Sequence, residues 1–564
     1  MRILVVFFVV LTAAAWLVPN HYPLWTAAWS DGLAILGLLL LLPAVAASVV
    51  TGARVSWRLA GIAVVCCAVL LAQIITGKLL FAGDALMAAL YIGLWLAAVL
   101  AGGFMAADAD ADADANGSDG LNVLMTAWCF AALLSVGIAL VQWTGALNLN
   151  IYAADLPPGA RPFGNVAQPN NLCTLCFLGL CGLLWQHQRQ KVNGAASWLG
   201  AGFLLWGMVM TQSRTGWLQI GLLVVWGLAM RTRASLRITR AQLLMLGALF
   251  AAGVLLWPVV CDALLLSTGR SLGDQMQAGV RLPYWRDMLD AIGHEPLWGY
   301  GWQQVGAALQ RVALDHPGIG TMFDHSHNLV LDLLLWNGVP VGGLIVAALA
   351  WWFIAHIRAC RDARLVWLLA AVGGVVTHGM LEYPLEYAYF LIPVGLAMGA
   401  VDGFSPAGGV SLRLPRWAVL SFTVLLGVVF VGVAADYLKA EENYRTLRFE
   451  SAHIGTDRIV TPAPKLRLLT QLEAYLQFAR IEAVPGMTQQ QVDWMRKVSE
   501  RYGFSSVLFR YALAAGLNGQ PEVARDTLAR ICRIHSPERC AEARKGWTAL
   551  QVRYPQLVEI AIPK

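Results

Sequence analysis

A chain of 564 residues that is 58% hydrophobic and only 13% charged excludes one large soluble domain. Soluble domains carry about 25% charged residues, and single cores stop growing at about 250–300 residues. The formal net charge of +6 admits an anionic partner, but the basic residues are distributed as a membrane topology distributes them, which argues against nucleic acid.

Thirteen apolar runs of about bilayer-spanning length are predicted in chain order: 3–19, 31–50, 58–76, 83–104, 121–143, 171–186, 196–212, 214–230, 241–260, 338–356, 364–381, 386–402 and 416–436. Two of them, 171–186 and 386–402, are short. With the N-terminus inside, fourteen Arg or Lys residues fall in inside segments, against Lys78, Arg161 and Arg214 in the short outside loops. That asymmetry is the one that sets orientation. The expected fold is an all-α polytopic membrane protein. Residues 1–260 carry spans one to nine, 261–326 a large outside loop, 327–436 spans ten to thirteen, and 437–564 a small helical outside domain.

Arg2 ahead of an apolar core and "TAAAW" also fits a signal peptide, and an uncleaved first span is expected. The stretch "ADADADADANGSDG" (107–120) reads as a solvated linker rather than a calcium site. Cys173 and Cys176 form a CxxC inside an apolar run, where cysteine acts as a small hydrophobe. In the large loop, Leu282, Trp285, Met288, Leu289 and Ile292 recur at helical spacing. They predict an amphipathic helix lying on the membrane or packed on the spans, with Trp298, Tyr300 and Trp302 suited to the interface. Beyond the last span, Thr488 to Gln491 has the capping-box pattern, and Gly519 with Pro521 marks a turn. Residues 505–531 resemble a tetratricopeptide-like hairpin. Cys532 and Cys540 lie in this polar region and can pair if it is outside.

The outside segments share unusual polar residues. Arg161 precedes "GNVAQPNN" (164–171), Arg214 sits in "TQSRTGW", Arg281 and Arg286 lie in the large loop, His325 and His327 end it, and Glu382 and Glu386 flank "LEYPLEYAYF". Loops are polar anyway, and a lone histidine there is most often a packing or capping residue. These loops, however, are otherwise poor in basic residues, and an unpaired guanidinium in a tight turn between spans is costly. Arginine binds phosphate bidentately, and histidine takes a proton from a hydroxyl. Together they fit attack of an oxygen on sugar C1, with a lipid pyrophosphate as leaving group whose growing charge the arginines stabilise. No clustered metal-ligand motif is visible on this face, so neither metal nor cofactor is expected.

At these residues the chain resembles the O-antigen ligase superfamily. It is most similar to the bacterial O-linked oligosaccharyltransferases that glycosylate pilins and other periplasmic proteins. The motifs are "RPFGNVAQPNNL" (161–172), "QSRTGW" (212–217), "VRLPYWRDMLDAIGHEPLWGYGW" (280–302), "HSHN" (325–328) followed by nine residues and Gly338, and "LEYPLEYAYFLIP" (381–393). The family pattern expects a second glycine three residues after Gly338; Val341 stands there and Gly342 follows, which would shift any close helix packing by one position.

The resemblance implies a GT-C-like transmembrane bundle of about thirteen helices in the bacterial inner membrane, with its N-terminus cytoplasmic and its site and C-terminus periplasmic. It implies en bloc transfer of a preassembled glycan from undecaprenyl pyrophosphate to Ser or Thr of an acceptor protein such as pilin, with inversion at the anomeric carbon. His327 is then the candidate base and His325 the second choice or its orienter. Arg214, Arg281, Arg161 and Arg286 are the pyrophosphate contacts; Gln168, Asn170, Asn328, Glu382 and Glu386 position donor or acceptor. Asp324 and Asp332 stand close enough in sequence to tune the histidines. Competing expectations are a ligase acting on lipid A–core, an O-antigen polymerase, and a transporter of lipid-linked sugar. No internal repeat of the transporter kind is visible.

Overall fold

In the computed structural model, residues 2–48, 54–111, 120–267, 279–408, 411–456 and 458–561 are described. The helices in chain order are α1 (Arg2–Ala15), α2 (Ala28–Ser48), α3 (Trp57–Ile75), α4 (Ala82–Ala111), α5 (Gly120–Thr144), α6 (Pro169–Gln188), α7 (Gly194–Met210), α8 (Arg214–Met230), α9 (Arg240–Ala263), α10 (Arg281–His294) and α11 (Val305–Val312). They continue with α12 (Leu329–Ala359), α13 (Ala363–Gly379), α14 (Ala388–Phe404), α15 (Arg416–Ser451), α16 (Thr470–Phe478), α17 (Gln489–Arg501), α18 (Ser505–Leu517), α19 (Pro521–Ile534) and α20 (Pro537–Arg553).

Every predicted span coincides with a helix. Seven of them, α2, α3, α4, α5, α9, α12 and α15, are long and apolar enough to cross a membrane by length and composition. The other six are 14 to 20 residues long. Three boundaries move. α4 runs on to Ala111, so helix takes the start of the acidic stretch expected to be linker; residues 112–119 lie outside the described ones. α12 extends back to Leu329, the added turns meeting the span expected from 338 at a break at Gly338, and α15 extends to Ser451. A short antiparallel ribbon, β1 (Arg54–Ser56) with β2 (Ser411–Arg413), was not expected. Three-residue strands fall below the length at which alternation is readable.

The chain divides into two compact units, each assembled from three segments: residues 1–65, 90–278 and 348–430 in the first, and 66–89, 279–347 and 431–564 in the second. In the first unit, helices approach backbone to backbone. A Cβ at Gly102 would overlap the Leu396 carbonyl, and one at Gly399 the Val99 carbonyl, the small-residue contact that holds helices together where lipid removes the hydrophobic drive. Buried polar groups tie further helices. Gln219 donates to Thr174 Oγ1 (2.9 Å), which lies 2.9 Å from His378 Nδ1. Asp402 Oδ1 accepts from Trp352 Nε1 at 2.9 Å and lies 2.9 Å from His356 Nε2. Cys173 and Cys176 are free and buried, as small hydrophobes should be.

In the second unit, α12 is broken at Gly338 (φ 73°, ψ 170°), two residues before Pro340. The break frees backbone groups that must find partners inside a membrane, and the Pro296–Gly301 segment supplies them. Tyr300 N–H donates to the Leu335 carbonyl and Val339 N–H to the Pro296 carbonyl, both at 2.7 Å. The Gln73 amide takes the Trp336 carbonyl at 2.6 Å, and Trp302 stacks on Trp336 at 4.8 Å. Gly342, at the shifted position, rather than Val341, lies against the Leu333 backbone.

The α10 stripe divides. Met288 and Ile292 face the core with Tyr284 and Ala291, whereas Leu282 and Leu289 are each 59% exposed. Sequence spacing could not tell which flank of a helix apolar on two sides meets protein. Trp298 is exposed and Trp302 buried. The C-terminal helices follow expectation. Thr488 and Gln491 form the capping box, α18 and α19 make the hairpin about Gly519 (φ 80°), and Cys532 is bonded to Cys540. Trp547, Leu508, Ile531 and Leu528 centre its core.

Gly338→Ala should lower the thermal midpoint of the detergent-purified protein. The new Cβ would overlap the Leu297 carbonyl at a positive φ, costing roughly 1–3 kcal/mol for overpacking and about 1 kcal/mol more for strain. Gly343→Ala, with nothing within 4 Å, should leave the midpoint in place. Equal midpoints for the two variants would refute the break as a required feature.

Candidate active site

The histidine motif occupies the loop that feeds α12. Asn328 caps that helix, its Oδ1 accepting the N–H groups of Val330 (3.0 Å) and Leu331 (3.3 Å), as Asn does at N-termini. Ser326 is fully buried. Its N–H donates to Asp332 Oδ1 (2.8 Å), its hydroxyl donates to the Asn328 carbonyl (2.9 Å), and its carbonyl accepts Trp285 Nε1–H (3.0 Å). The carbonyl of His325 accepts the Tyr284 hydroxyl at 3.0 Å. Two adjacent aromatic donors on α10 and one carboxylate on α12 therefore clamp the loop from both sides.

The clamp holds His327 at φ 56°. A non-glycine residue there costs of order 1–3 kcal/mol and persists only when its surroundings over-determine it. The half-buried His327 ring stands edge-on to Phe323 at 4.9 Å, and Phe323 packs on Tyr284 at 4.7 Å. His325 differs. Burial pushes its imidazole down to about 3, with His327 and Arg501 adding to the effect. It is neutral at ordinary pH and a weak base.

Arg281, half-buried, begins α10. Tyr284 and Trp285 follow at i+3 and i+4, on the same helix face, so the helix that clamps the loop also presents this guanidinium. Arg286 falls on another flank and is exposed.

The first unit gathers the other motifs. Arg161 Nη1 donates to the carbonyls of Thr211 (2.9 Å) and Gln212 (3.4 Å), past the end of α7. Asn170, in the first turn of α6, donates to Glu382 Oε1 (2.9 Å) and accepts from Ser213 Oγ (2.7 Å). Ser213 caps α8, accepting Thr215 N–H at 3.2 Å, and Arg214 is that helix's first residue. One carboxamide thus joins three motifs that are separate in sequence, and Glu382 is buried against it. Gln168 stands at the N-cap of α6 without a side-chain cap bond. Glu386 lies in a short turn over Pro384–Glu386. Ala167 (φ 59°) and Gln212 (φ 46°) also adopt the left-handed region, so strain recurs in three of the motifs. The helix dipoles at the starts of α6 and α8, the second beginning at Arg214, favour an anion.

Sequence reasoning missed Tyr284, Ser326 and Ser213. Their signal was positional: a hydroxyl just before a helix, and an aromatic pair one turn after an arginine. It also saw no clustered metal ligands. Asp290 and His294, one turn apart on α10, bring ligand atoms within 4.8 Å of Asp315, and His316 Nε2 lies 2.9 Å from Asp290. This group is exposed to solvent, where acidic clusters are common without an ion.

A family model described as O-antigen ligase matches residues 199–346, the stretch holding Arg214, Arg281, His325, His327 and Gly338. A second, described as the C-terminal part of a virulence-factor membrane-bound polymerase, matches residues 366–549. The chain is 30% identical over 482 residues to a general O-oligosaccharyltransferase of Acinetobacter baylyi, covering 81% of this chain and 80% of that one. It is 25% identical over 512 residues to a ComP-specific O-oligosaccharyltransferase of the same organism, covering 88% and 89%.

His325 sets a pH dependence. Above an unfolded value of about 6.5 both states are neutral; as pH falls, the unfolded chain takes a proton that the folded loop refuses. Stability should then fall by up to about 1.4 kcal/mol per pH unit, down to about pH 3. Melting the detergent-solubilised protein between about pH 7 and pH 5 should show the decline, and His325→Gln should flatten it. An unchanged slope in that variant would remove the assignment.

Proposed function

This chain belongs to the O-oligosaccharyltransferases of the O-antigen ligase superfamily, and we propose that it moves a preassembled glycan en bloc from undecaprenyl pyrophosphate to Ser or Thr hydroxyls of periplasmic proteins such as a pilin. The observation that carries the proposal is His327. It is held at a strained backbone angle by Tyr284, Trp285 and Asp332, inside the stretch matched by the ligase model.

The imidazole of His327 accepts the proton of the acceptor hydroxyl as its oxygen attacks C1 of the first sugar. The bond from C1 to the pyrophosphate oxygen breaks, and its electron pair leaves with the lipid pyrophosphate. Arg281 stabilises the charge that develops there. Arg214 and Arg161 carry the same assignment from the motifs that hold them, although Arg161 already spends one nitrogen on Thr211 and Gln212. Arg286, exposed on another flank, is the least placed of the four. Gln168, Asn170, Glu382 and Glu386 position donor or acceptor; Asn328 does so indirectly, by fixing the end of the histidine loop. Guanidinium groups supply the positive charge, so the step calls for no metal. A single displacement inverts the anomeric carbon.

The arginine asymmetry supports a cytoplasmic N-terminus and a periplasmic C-terminus. The Cys532–Cys540 disulfide supports an oxidising compartment for the last helices. Extensive similarity to relatives named as O-oligosaccharyltransferases favours a protein acceptor over lipid A–core. The polymerase description over residues 366–549 keeps a second reading, in which another lipid-linked glycan is the acceptor.

Purified protein, undecaprenyl-pyrophosphate glycan and pilin should yield glycopilin by mass spectrometry, with or without chelator. His327→Ala should cut the rate about 10²–10⁴-fold, and Arg281→Ala should weaken donor use. Glycan found only on lipid would favour the polymerase reading, and full transfer by His327→Ala would eliminate the base.

A further inference from the structure

The helices after α15 are remote in sequence from the histidine loop, yet they share its compact unit and bond to its approach. Gln310, on α11, donates its side-chain amide to the carbonyls of Ser499 (3.0 Å) and Glu500 (3.1 Å) near the end of α17. Ile319 N–H donates to the Arg533 carbonyl at 3.1 Å. Thr470 Oγ1 accepts Gly83 N–H at 2.9 Å. The segment that delivers Phe323–Asn328 is therefore laid along α17 and α19.

Arg501, the last residue of α17, is the charged member of this contact. Its Nε lies 3.1 Å from both carboxylate oxygens of Asp84, in the first turn of α4, and its Nη2 lies 3.1 Å from Oδ1. The two side chains are 15% and 3% exposed. Its guanidinium also sits 5.2 Å from the Tyr502 ring. On the loop side, the point that a Cβ on Gly306 would take is 3.7 Å from Asp324 Oδ1 and 3.9 Å from the Arg501 carbonyl. The charge of Arg501 bears on both Asp324 and His325. Arg501 of the C-terminal domain is thus bonded to the start of a membrane helix, and its charge lies close enough to bear on the loop that carries His327. A buried ion pair is often no more stabilising than apolar side chains of similar volume, so the pair is weak evidence for a purely stabilising role.

We propose that Arg501 is a positioning residue for glycan transfer: through Asp84 and the Asp324 end of the loop, it makes the C-terminal domain a fixed part of the site that orients His327. This rests on the transfer reaction proposed above.

The test compares full-length wild type, Arg501→Lys, Arg501→Met and Arg501→Met/Asp84→Asn in lipid nanodiscs. Readouts are transfer kinetics, thermal midpoint and hydrogen exchange of the loop. Arg501→Met should lower kcat tenfold or more at little changed acceptor KM, since small misplacement costs up to about 10²-fold, and should speed exchange over residues 324–328. The double variant, with no lone buried charge, should regain the midpoint but not kcat. Arg501→Lys should recover part of kcat. Recovery of kcat in the double variant, or unaltered loop exchange in Arg501→Met, would overturn the proposal. If wild type transfers no glycan, the transfer reading fails separately, and loop exchange still decides: acceleration in Arg501→Met beyond that in the exposed control Arg539→Met supports positioning, and equality refutes it.

Discussion

The hydrogen bonds that meet at His325 and Ser326 are the constraint on which the candidate site depends. Tyr284 and Trp285 hold two successive carbonyls, and Asp332 holds the intervening N–H. Pinned on both sides, the chain has little freedom at the next residue, and His327 takes a backbone angle that it would otherwise avoid. Because the aromatic pair belongs to α10, the clamp also fixes the register of Arg281, one turn earlier. The proposed base and a cation thus come from one piece of local geometry.

The break in α12 extends that geometry into the apolar part of the chain. An unbroken helix from Leu329 would need no outside partner for its backbone. Interrupted at Gly338, it binds the Pro296–Gly301 segment through Tyr300 and Val339, and that segment directly follows α10. The loop, the clamp helix and the half-helix therefore form a closed circuit of hydrogen bonds. Glycines at 299 and 338 serve this circuit because their backbones meet with no room for a side chain.

Much of this was legible in the sequence. Each of the thirteen apolar runs coincides with a helix, seven of them long and apolar enough to span a membrane; the capping box at Thr488 and the hairpin at Gly519 were readable from residue type, and the histidine, arginine and carboxamide motifs could be singled out before any fold was known. What stayed hidden is tertiary. The Arg501–Asp84 pair spans 417 positions, and no local pattern marks either partner. The helical turns of α12 before Gly338 went unread because Asn328 and Asp332 look like loop residues until the cap and the Ser326 bond are seen. The core-facing side of α10 could not be read because a helix apolar on two flanks gives one periodicity and two answers. Asn170 was singled out for a substrate; its bonds to Glu382 and Ser213 became visible only when α6 and α8 were packed.

The segmented make-up of the second unit bears on how the protein is born. Its three pieces, residues 66–89, 279–347 and 431–564, leave the ribosome far apart in time, with the other unit's helices threaded between them. The histidine loop and its clamp are synthesised in the middle piece, but Ser499 and Arg533, which bond to Gln310 and Ile319 on the approach to the loop, come in the last. Until that piece is made, the approach lacks these partners. A chain stalled or clipped before residue 499 would carry every histidine and arginine of the motifs and still leave the way into the loop unsupported.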